Sequence, residues 1–215
     1  MEYRPDYNNP HPSFLMNGQR YDEKSIKTLA FNHVANGSEN EVQLGNFILE
    51  WINDSDFISI QTSGTTSNPK IIRLPKTSFI NSVKTTANYF GLVAGDSALC
   101  CLPFSFIAGK IMFVRAWVLG LKLDVIKPSS HPLERLPEKF YDFSSMVPLQ
   151  LQNSILKINQ IKTLLVGGAS VPDSLASKIK GHTTTVFETF GMTETVSHIA
   201  AKNLSLGESF FEVLP

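Results

Sequence analysis

Segments of helical and strand pattern alternate along much of the chain, and this alternation limits the fold more than any other feature. Residues 143–147, 161–168 and 183–191 have the apolar and β-branched content of strands, whereas residues 149–156 and 173–179 have helical spacing. Strands that alternate with helices form a mostly parallel sheet covered by helices. We therefore predict an α/β fold whose ligands bind in loops beyond the carboxyl ends of the strands.

Further helices and strands are predicted in the first half of the chain from the spacing of its apolar residues. The predicted helices cover residues 26–34, residues 44–52 and a segment that runs from Thr77, as its cap, to Phe90. The predicted strands cover residues 57–61, 71–74, 98–103 and 122–126, and residues 109–121 are apolar on most sides. The first two of these strands flank a polar loop, so they predict a strand-loop-strand unit.

Charge and hydrophobicity argue against several classes of partner. Lys plus Arg and Asp plus Glu each number 19, so no net field attracts nucleic acid or an anionic membrane surface. The longest apolar stretch, residues 111–121, contains Arg115 and is shorter than the roughly 20 residues of a membrane span. The start of the chain has prolines and charges where a secretory signal needs an apolar segment, so we predict a cytoplasmic protein.

Residues 62–70 (TSGTTSNPK) concentrate short hydroxyl side chains, one glycine and one lysine between two predicted strands. Such side chains let the backbone approach a multivalent anion and Lys70 adds a positive charge, so the segment is suited to bind phosphate. It differs from the nucleoside-triphosphatase loop, which has glycine directly before the lysine where this chain has Pro69. A solvated hairpin loop rich in Ser and Thr is the alternative interpretation of the composition alone.

Three segments, in the same order along the chain, are similar to signature segments of the adenylate-forming family of acyl-CoA synthetases, luciferases and peptide-synthetase adenylation domains. Residues 62–70 resemble its phosphate-binding signature, residues 164–172 (LLVGGASVP) its Gly-Gly-Ala segment beside the adenine, and residues 187–195 (FETFGMTET) its aromatic-Gly-x-Thr-Glu segment. Taken singly, each could be a strand that ends in a glycine turn, with Glu194 an exposed acid at a helix start. Together they identify the chain as a member of this family.

The resemblance implies ATP, Mg²⁺ and CoA as ligands, and it implies roles for individual residues. Phe190 would pack on the nucleobase, Thr193 would contact phosphate and Glu194 would hold the metal. Lys70, Thr193 and Glu194 are the implied catalytic residues. The implied nucleotide-binding residues are Thr62, Ser63, Gly64, Thr65, Thr66, Lys70, Gly167, Gly168, Ala169, Glu188, Thr189, Phe190, Gly191, Met192 and Thr193.

Within the family, residues 101–123, 146–156 and 190–200 look most like the ligases that form the CoA thioester of o-succinylbenzoate in menaquinone synthesis. This similarity implies a small-molecule carboxylate as substrate. The residues it places near the acyl group are Phe106, Gly109, Lys110, Ser197 and His198. A core histidine and a solvated lysine at a helix start are the alternative interpretations of His198 and Lys110.

Four positions depart from the pattern of many family members. Ser67 and Ile71 stand where glycine is common, Phe106 where histidine is often found and Phe190 where tyrosine is usual. Phe190 keeps the aromatic face for stacking, whereas serine at position 67 resists backbone conformations that glycine adopts.

The expected architecture is the layered N-terminal core of the adenylate-forming fold without its small C-terminal domain. Residues 1–38 would form a lead-in segment and helix, residues 39–203 the nucleotide-binding region, and residues 204–215 the cut-off start of another subdomain, since the chain ends on an apolar run of strand type. The isolated chain is expected to adenylate weakly. A non-catalytic nucleotide-binding module and a CoA synthetase for another acid are the alternatives, and a homodimer is left open.

Overall fold

The computed structural model describes residues 7–61, 70–134 and 136–215. Within these ranges the helices are α1 (Glu23–Asn36), α2 (Glu39–Trp51), α3 (Lys76–Phe90), α4 (Ile107–Leu119), α5 (Pro148–Ser154) and α6 (Asp173–Ile179). The strands are β1 (Leu15–Met16), β2 (Gln19–Arg20), β3 (Phe57–Gln61), β4 (Ile71–Pro75), β5 (Ser97–Cys100), β6 (Lys122–Val125), β7 (Tyr141–Met146), β8 (Ile161–Val166), β9 (Thr185–Gly191), β10 (His198–Asn203) and β11 (Glu212–Val213).

The main sheet has the strand order β11-β10-β9-β8-β7-β5-β6-β1-β2. The strands from β9 to β1 in this order are parallel to their neighbours, whereas β2, β10 and β11 join antiparallel. The predicted α/β fold with a mostly parallel sheet is therefore confirmed. Because parallel strands end at the same edge, the loops after β5, β7, β8 and β9 lie along one side of the sheet.

Two hydrophobic cores lie on opposite faces of this sheet, because neighbouring strand residues point in opposite directions. Ala98 and Cys100 of β5 belong to one core, which includes residues of α1, α2, α3 and α4. Leu99 and Cys101 belong to the other core, which includes residues of α5 and α6. The helices thus cover both faces, and both cysteines are free and buried.

The strands β3 and β4 form a separate antiparallel pair, in register from Phe57 opposite Pro75 to Gln61 opposite Ile71. This pair confirms the predicted strand-loop-strand unit. The connecting residues 62–69 lie outside the described residues.

The predicted start of the third helix is wrong. Helix α3 begins at Lys76, and Thr77 lies inside its first turn rather than at the cap, which is Pro75. Lys76 is fully buried, and its amine donates hydrogen bonds to the backbone oxygen of Asn53 at 2.7 Å and to its side-chain oxygen at 3.1 Å. This buried contact anchors the first residue of α3, and such tertiary contacts override local preferences.

No helix in the part of the chain that the structure describes is long and apolar enough to cross a membrane. The strand-type run at the end of the chain pairs with β10 through Glu212 and Val213, which form β11, and the N–H of Leu214 donates to the carbonyl of Ile199 at 2.9 Å.

Candidate functional site

The loop after β8 and the end of β9 lie side by side at the carboxyl edge of the sheet. The hydroxyl of Thr189 donates to the backbone oxygen of Val166 at 3.2 Å. A Cβ on Gly167 would lie 2.6 Å from the Oγ1 of Thr189, so the glycine permits this close approach. Gly168 and Ala169 are exposed beyond it. Two segments that were predicted to bind nucleotide are therefore adjacent.

Glu188 connects this loop to β10. Its side chain is 5% exposed, and its Oε1 accepts a hydrogen bond from the backbone N–H of Val171 at 3.0 Å. Its Oε2 forms an ion pair with the amine of Lys202 at 2.8 Å, and the two residues are paired across β9 and β10. Both carboxylate oxygens therefore face protein groups, and the predicted contact of Glu188 with nucleotide stays a prediction.

The end of β9 presents an aromatic ring and then turns sharply. Phe190 is 52% exposed, and its ring meets that of Phe211 edge-on at 6.2 Å. Exposed Met192 precedes a 3₁₀ turn, Thr193–Thr195, on which the Glu194 side chain is also exposed. The ring and the carboxylate are thus accessible at the same edge of the sheet.

Side-chain hydrogen bonds stabilise this turn, which contains one unusual backbone conformation. Thr195 accepts a hydrogen bond from the backbone N–H of Met192 at 3.0 Å and donates to the carbonyl of Ser197 at 2.7 Å. Val196 is buried and has φ of 68°, a conformation that costs a β-branched residue energy. Such strain persists where surrounding contacts fix the backbone, which is common at binding sites.

Lys70 is exposed directly before β4. The other residues of the predicted phosphate signature lie outside the described residues, and they are Thr62, Ser63, Gly64, Thr65, Thr66, Ser67, Asn68 and Pro69. The expected convergence of Lys70 and Glu194 around one ligand stays a prediction.

The predicted acyl-binding residues at the start of α4 have different surroundings. Phe106, directly before the helix, is exposed, whereas Gly109 is buried and a Cβ there would lie 2.4 Å from the carbonyl oxygen of Pro103. The amine of Lys110 lies 5.6 Å from the ring centroid of Phe47 on α2, and burial lowers the pKa of this lysine. Lys110 therefore packs along α2, and its contact with an acyl group stays a prediction.

Arg115 on α4 is a candidate functional residue that sequence reasoning missed. The side chain is 2% exposed, and its Nη2 donates to the Oγ of Ser197 at 2.9 Å and lies 3.4 Å from the Nδ1 of His198. Its Nη1 lies 3.4 Å from the sulfur of Met112, and the guanidinium lies over the ring of Phe143. The sequence signal was an arginine inside the longest apolar stretch of the chain, residues 111–121.

The charge of Arg115 has no counter-charge among the residues that the structure describes. Its Nε has no hydrogen-bond partner there, and it forms no ion pair with a carboxylate in those ranges. Burial lowers the pKa of Arg115 to about 10, so the group is still protonated at neutral pH. A buried cation without an anion is costly, and this arrangement can bind an incoming carboxylate.

His198 lies between Arg115 and α3. Its Nε2 is 3.3 Å from the Oγ1 of Thr86, which is buried, and its ring meets that of Phe90 edge-on at 5.6 Å. Burial and the nearby guanidinium lower the pKa of His198 to about 3, so the imidazole is neutral. The structure thus brings Ser197 and His198 together with Arg115, whereas the amine of Lys110 contacts α2.

The chain matches known proteins over most of its length. The family model for AMP-binding enzymes matches residues 21–209. A 2-succinylbenzoate–CoA ligase of Bacillus cereus is 24% identical over 193 residues, which are 86% of this chain and 40% of that one. The corresponding ligase of Oceanobacillus iheyensis is 28% identical over 156 residues, 68% of this chain and 32% of that one. The chain therefore spans well under half the length of these relatives.

Solved structures agree with this match. An acyl-CoA synthetase (AMP-forming)/AMP-acid ligase II-like protein from Dyadobacter fermentans has a TM-score of 0.77 and 34% identity, over 88% of this chain and 56% of that one. The O-succinylbenzoate coenzyme A synthetase of Bacillus subtilis, in complex with ATP and magnesium ion, has a TM-score of 0.61 and 25% identity, over 69% of this chain and 33% of that one. The predicted family is confirmed: this chain belongs to the family of AMP-binding, adenylate-forming enzymes.

Proposed function

We propose that this chain is the nucleotide-binding and acid-binding core of an ATP-dependent acid:CoA ligase whose acid is o-succinylbenzoate. In this reaction the carboxylate attacks the α-phosphate of ATP, which gives an acyl-adenylate and pyrophosphate, and the thiol of CoA then displaces AMP. The observation that carries the proposal is the buried guanidinium of Arg115, which has no carboxylate partner among the described residues and lies beside Ser197 and His198.

The chemistry of the acid supports this assignment. An o-succinylbenzoate has two carboxylates, and only one of them reacts with the α-phosphate. The other needs a cationic partner, because an unpaired carboxylate is costly to remove from water. Arg115 would supply that partner, since a guanidinium matches the geometry of a carboxylate with two parallel N–H donors.

The nucleotide would lie along the edge formed by the loop after β8 and the turn after β9. Phe190 would stack on the base, and Gly167, Gly168 and Ala169 would border it. Lys70 would neutralise phosphate charge together with donors from residues 62–66. Two unit charges about 4 Å apart repel by roughly 4 kcal/mol at an effective dielectric near 20, so neutralisation is a main need of the adenylation step.

The donor set fits Mg²⁺ bound through a nucleotide. Glu194 is an exposed carboxylate, and no group of three or more His, Cys, Asp or Glu residues that could hold a metal occurs within the described ranges. Mg²⁺ commonly binds through one or two carboxylates, substrate phosphates and water, so Glu194 with a triphosphate would be sufficient. The ion would reduce the negative charge of the phosphates.

CoA is the proposed second substrate, and the cytoplasm is the proposed compartment. A homodimer is a further proposal. The chain spans a minor part of the full-length ligases, so we expect weak adenylation and almost no thioester formation by the 215 residues alone.

Equilibrium binding tests the proposal without requiring turnover. Titration calorimetry of the chain with AMP and with o-succinylbenzoate is expected to show binding of both. Arg115→Met should weaken the binding of o-succinylbenzoate at least tenfold and leave the affinity for AMP unchanged. Arg20→Met, the same change on β2, should alter neither affinity. Three outcomes would each contradict the proposal. They are binding of o-succinylbenzoate by Arg115→Met as tight as by the wild type, tighter binding of benzoate than of o-succinylbenzoate by the wild type, and no binding of o-succinylbenzoate by the wild type.

A further inference from the structure

We infer that His198 is a positioning residue: its neutral imidazole accepts a hydrogen bond from Arg115 and so orients the guanidinium without neutralising it. The inference rests on the proposed function and deepens it, because it explains how a buried arginine keeps its charge for a substrate carboxylate. It assigns Thr86, on a different element, to the same site.

A chain of hydrogen bonds fixes the tautomer of His198. Thr86 donates its hydroxyl hydrogen to the carbonyl of Ser82 at 2.8 Å. That hydroxyl has a single hydrogen, so towards His198 it acts as the acceptor at 3.3 Å. The Nε2 of His198 is therefore the protonated nitrogen, and its Nδ1 carries the lone pair.

The lone pair of His198 faces Arg115. The Nδ1 lies 3.4 Å from the Nη2 of Arg115 and 3.2 Å from the Oγ of Ser197. The guanidinium is always a donor, so the Nδ1 must be the acceptor in this contact. Thr86 on α3 and Arg115 on α4 thus require the same tautomer of the imidazole.

Every described contact of the guanidinium is uncharged. Its partners are the hydroxyl of Ser197, the imidazole of His198, the thioether of Met112 and the ring of Phe143. A carboxylate at position 198 would form a buried ion pair with Arg115, and the substrate carboxylate would then have to compete with it. A neutral acceptor orients the group and leaves its charge uncompensated.

A matched pair of variants separates these two effects. His198→Asn keeps a short neutral acceptor, whereas His198→Asp has nearly the same shape but adds a negative charge. We expect His198→Asn to bind o-succinylbenzoate within about threefold of the wild type, and His198→Asp to bind it at least about tenfold more weakly. Both variants should bind AMP like the wild type. Equal binding of the acid by the two variants would overturn the inference.

Arg115→Met distinguishes this outcome from failure of the proposed function. If Arg115→Met weakens the binding of o-succinylbenzoate while the two His198 variants bind it equally, the arginine site is supported and the inferred role of His198 is wrong. If Arg115→Met binds the acid like the wild type, the proposed function itself fails.

Nitrogen-15 NMR of the imidazoles tests the inference without any ligand. His198 is expected as the Nε2–H tautomer, because Thr86 accepts at Nε2 and Arg115 donates at Nδ1. An Nδ1–H tautomer in the wild type would overturn the inference even if a His198 variant failed to fold.

Discussion

Gly191 lies directly opposite His198 across the β9–β10 pair, and a Cβ on Gly191 would lie only 2.6 Å from the Cα of His198. It would also lie 2.4 Å from the carbonyl oxygen of Ser197. Phe190 precedes this glycine on β9, and Ser197 and His198 contact Arg115. The proposed sites for the nucleobase and for the acid therefore share one backbone pair.

Gly191→Ala should disturb both proposed sites. The added Cβ would meet backbone atoms, so β9 and β10 must separate locally. We expect a loss of roughly 1–3 kcal/mol in the free energy of unfolding and weaker binding of both AMP and o-succinylbenzoate. Urea unfolding and calorimetry measure these effects, with Ser170→Ala, an exposed change in the neighbouring loop, as the control. Unaltered stability would contradict the close approach of Gly191 to Ser197 and His198.

Lys70 and Glu194 should act on Mg²⁺-ATP in distinguishable ways. Both side chains are exposed, so Lys70→Ala and Glu194→Gln should change the free energy of unfolding by less than about 0.5 kcal/mol. Lys70→Ala should weaken the binding of ATP with or without Mg²⁺, because it removes the charge that is proposed to contact phosphate. Glu194→Gln should weaken the binding of ATP only when Mg²⁺ is present. In a complete enzyme both changes should lower adenylation by orders of magnitude.

Calorimetric titrations with ATP, with and without Mg²⁺, measure this difference. Lys180→Ala and Glu138→Gln are suitable controls, since they make the same chemical changes at exposed positions away from the sheet edge. Full affinity in both the Lys70 and Glu194 variants would contradict their assignment to the phosphate and metal site.

The ion pair of Glu188 and Lys202 should stabilise the loop after β8. Replacing one partner leaves the other largely buried, so Glu188→Gln and Lys202→Met should each lower the free energy of unfolding by about 1–3 kcal/mol. This loss is smaller than for a fully buried pair, because Lys202 is partly exposed. The double variant should lose less than the sum, since the two groups interact directly. Hydrogen exchange at the backbone N–H of Val171 should become faster in Glu188→Gln. Strictly additive losses would rule out the coupling.

Much of the fold could be predicted because its signals are local. The predicted helix 173–179 corresponds to α6 (Asp173–Ile179), and the predicted strands fall on β3, β4, β5, β6, β7, β8 and β9. The alternation of these elements fixes the parallel pairing. In contrast, β10 was not predicted, because its small and polar residues form a strand only by pairing with β9.

In the candidate site, too, local features could be predicted from the sequence and tertiary contacts could not. The segment 187–195 could be identified because its chemistry lies within nine consecutive residues. Arg115 could not be assigned, because its contact with Ser197 joins residues 82 apart in sequence and depends on the unpredicted strand β10. The burial of Glu188 likewise depends on Lys202, which is its neighbour only after β10 has paired. The sequence patterns therefore did not predict the contacts that depend on the pairing of β9 with β10.

Acid should destabilise the wild type more than His198→Asn. The pKa of His198 in the folded protein is lowered to about 3, below the ordinary value of 6.5, by burial and by Arg115. Between these values the unfolded chain binds a proton that the folded chain does not, so stability is lost as pH falls through this window. Asparagine does not titrate, so the stability of the wild type relative to His198→Asn should fall by about 2 kcal/mol from pH 7 to pH 4.5. Urea unfolding at several pH values measures this change, with His131→Asn as an exposed control. Parallel pH profiles for the wild type and His198→Asn would contradict a neutral, half-buried imidazole at position 198.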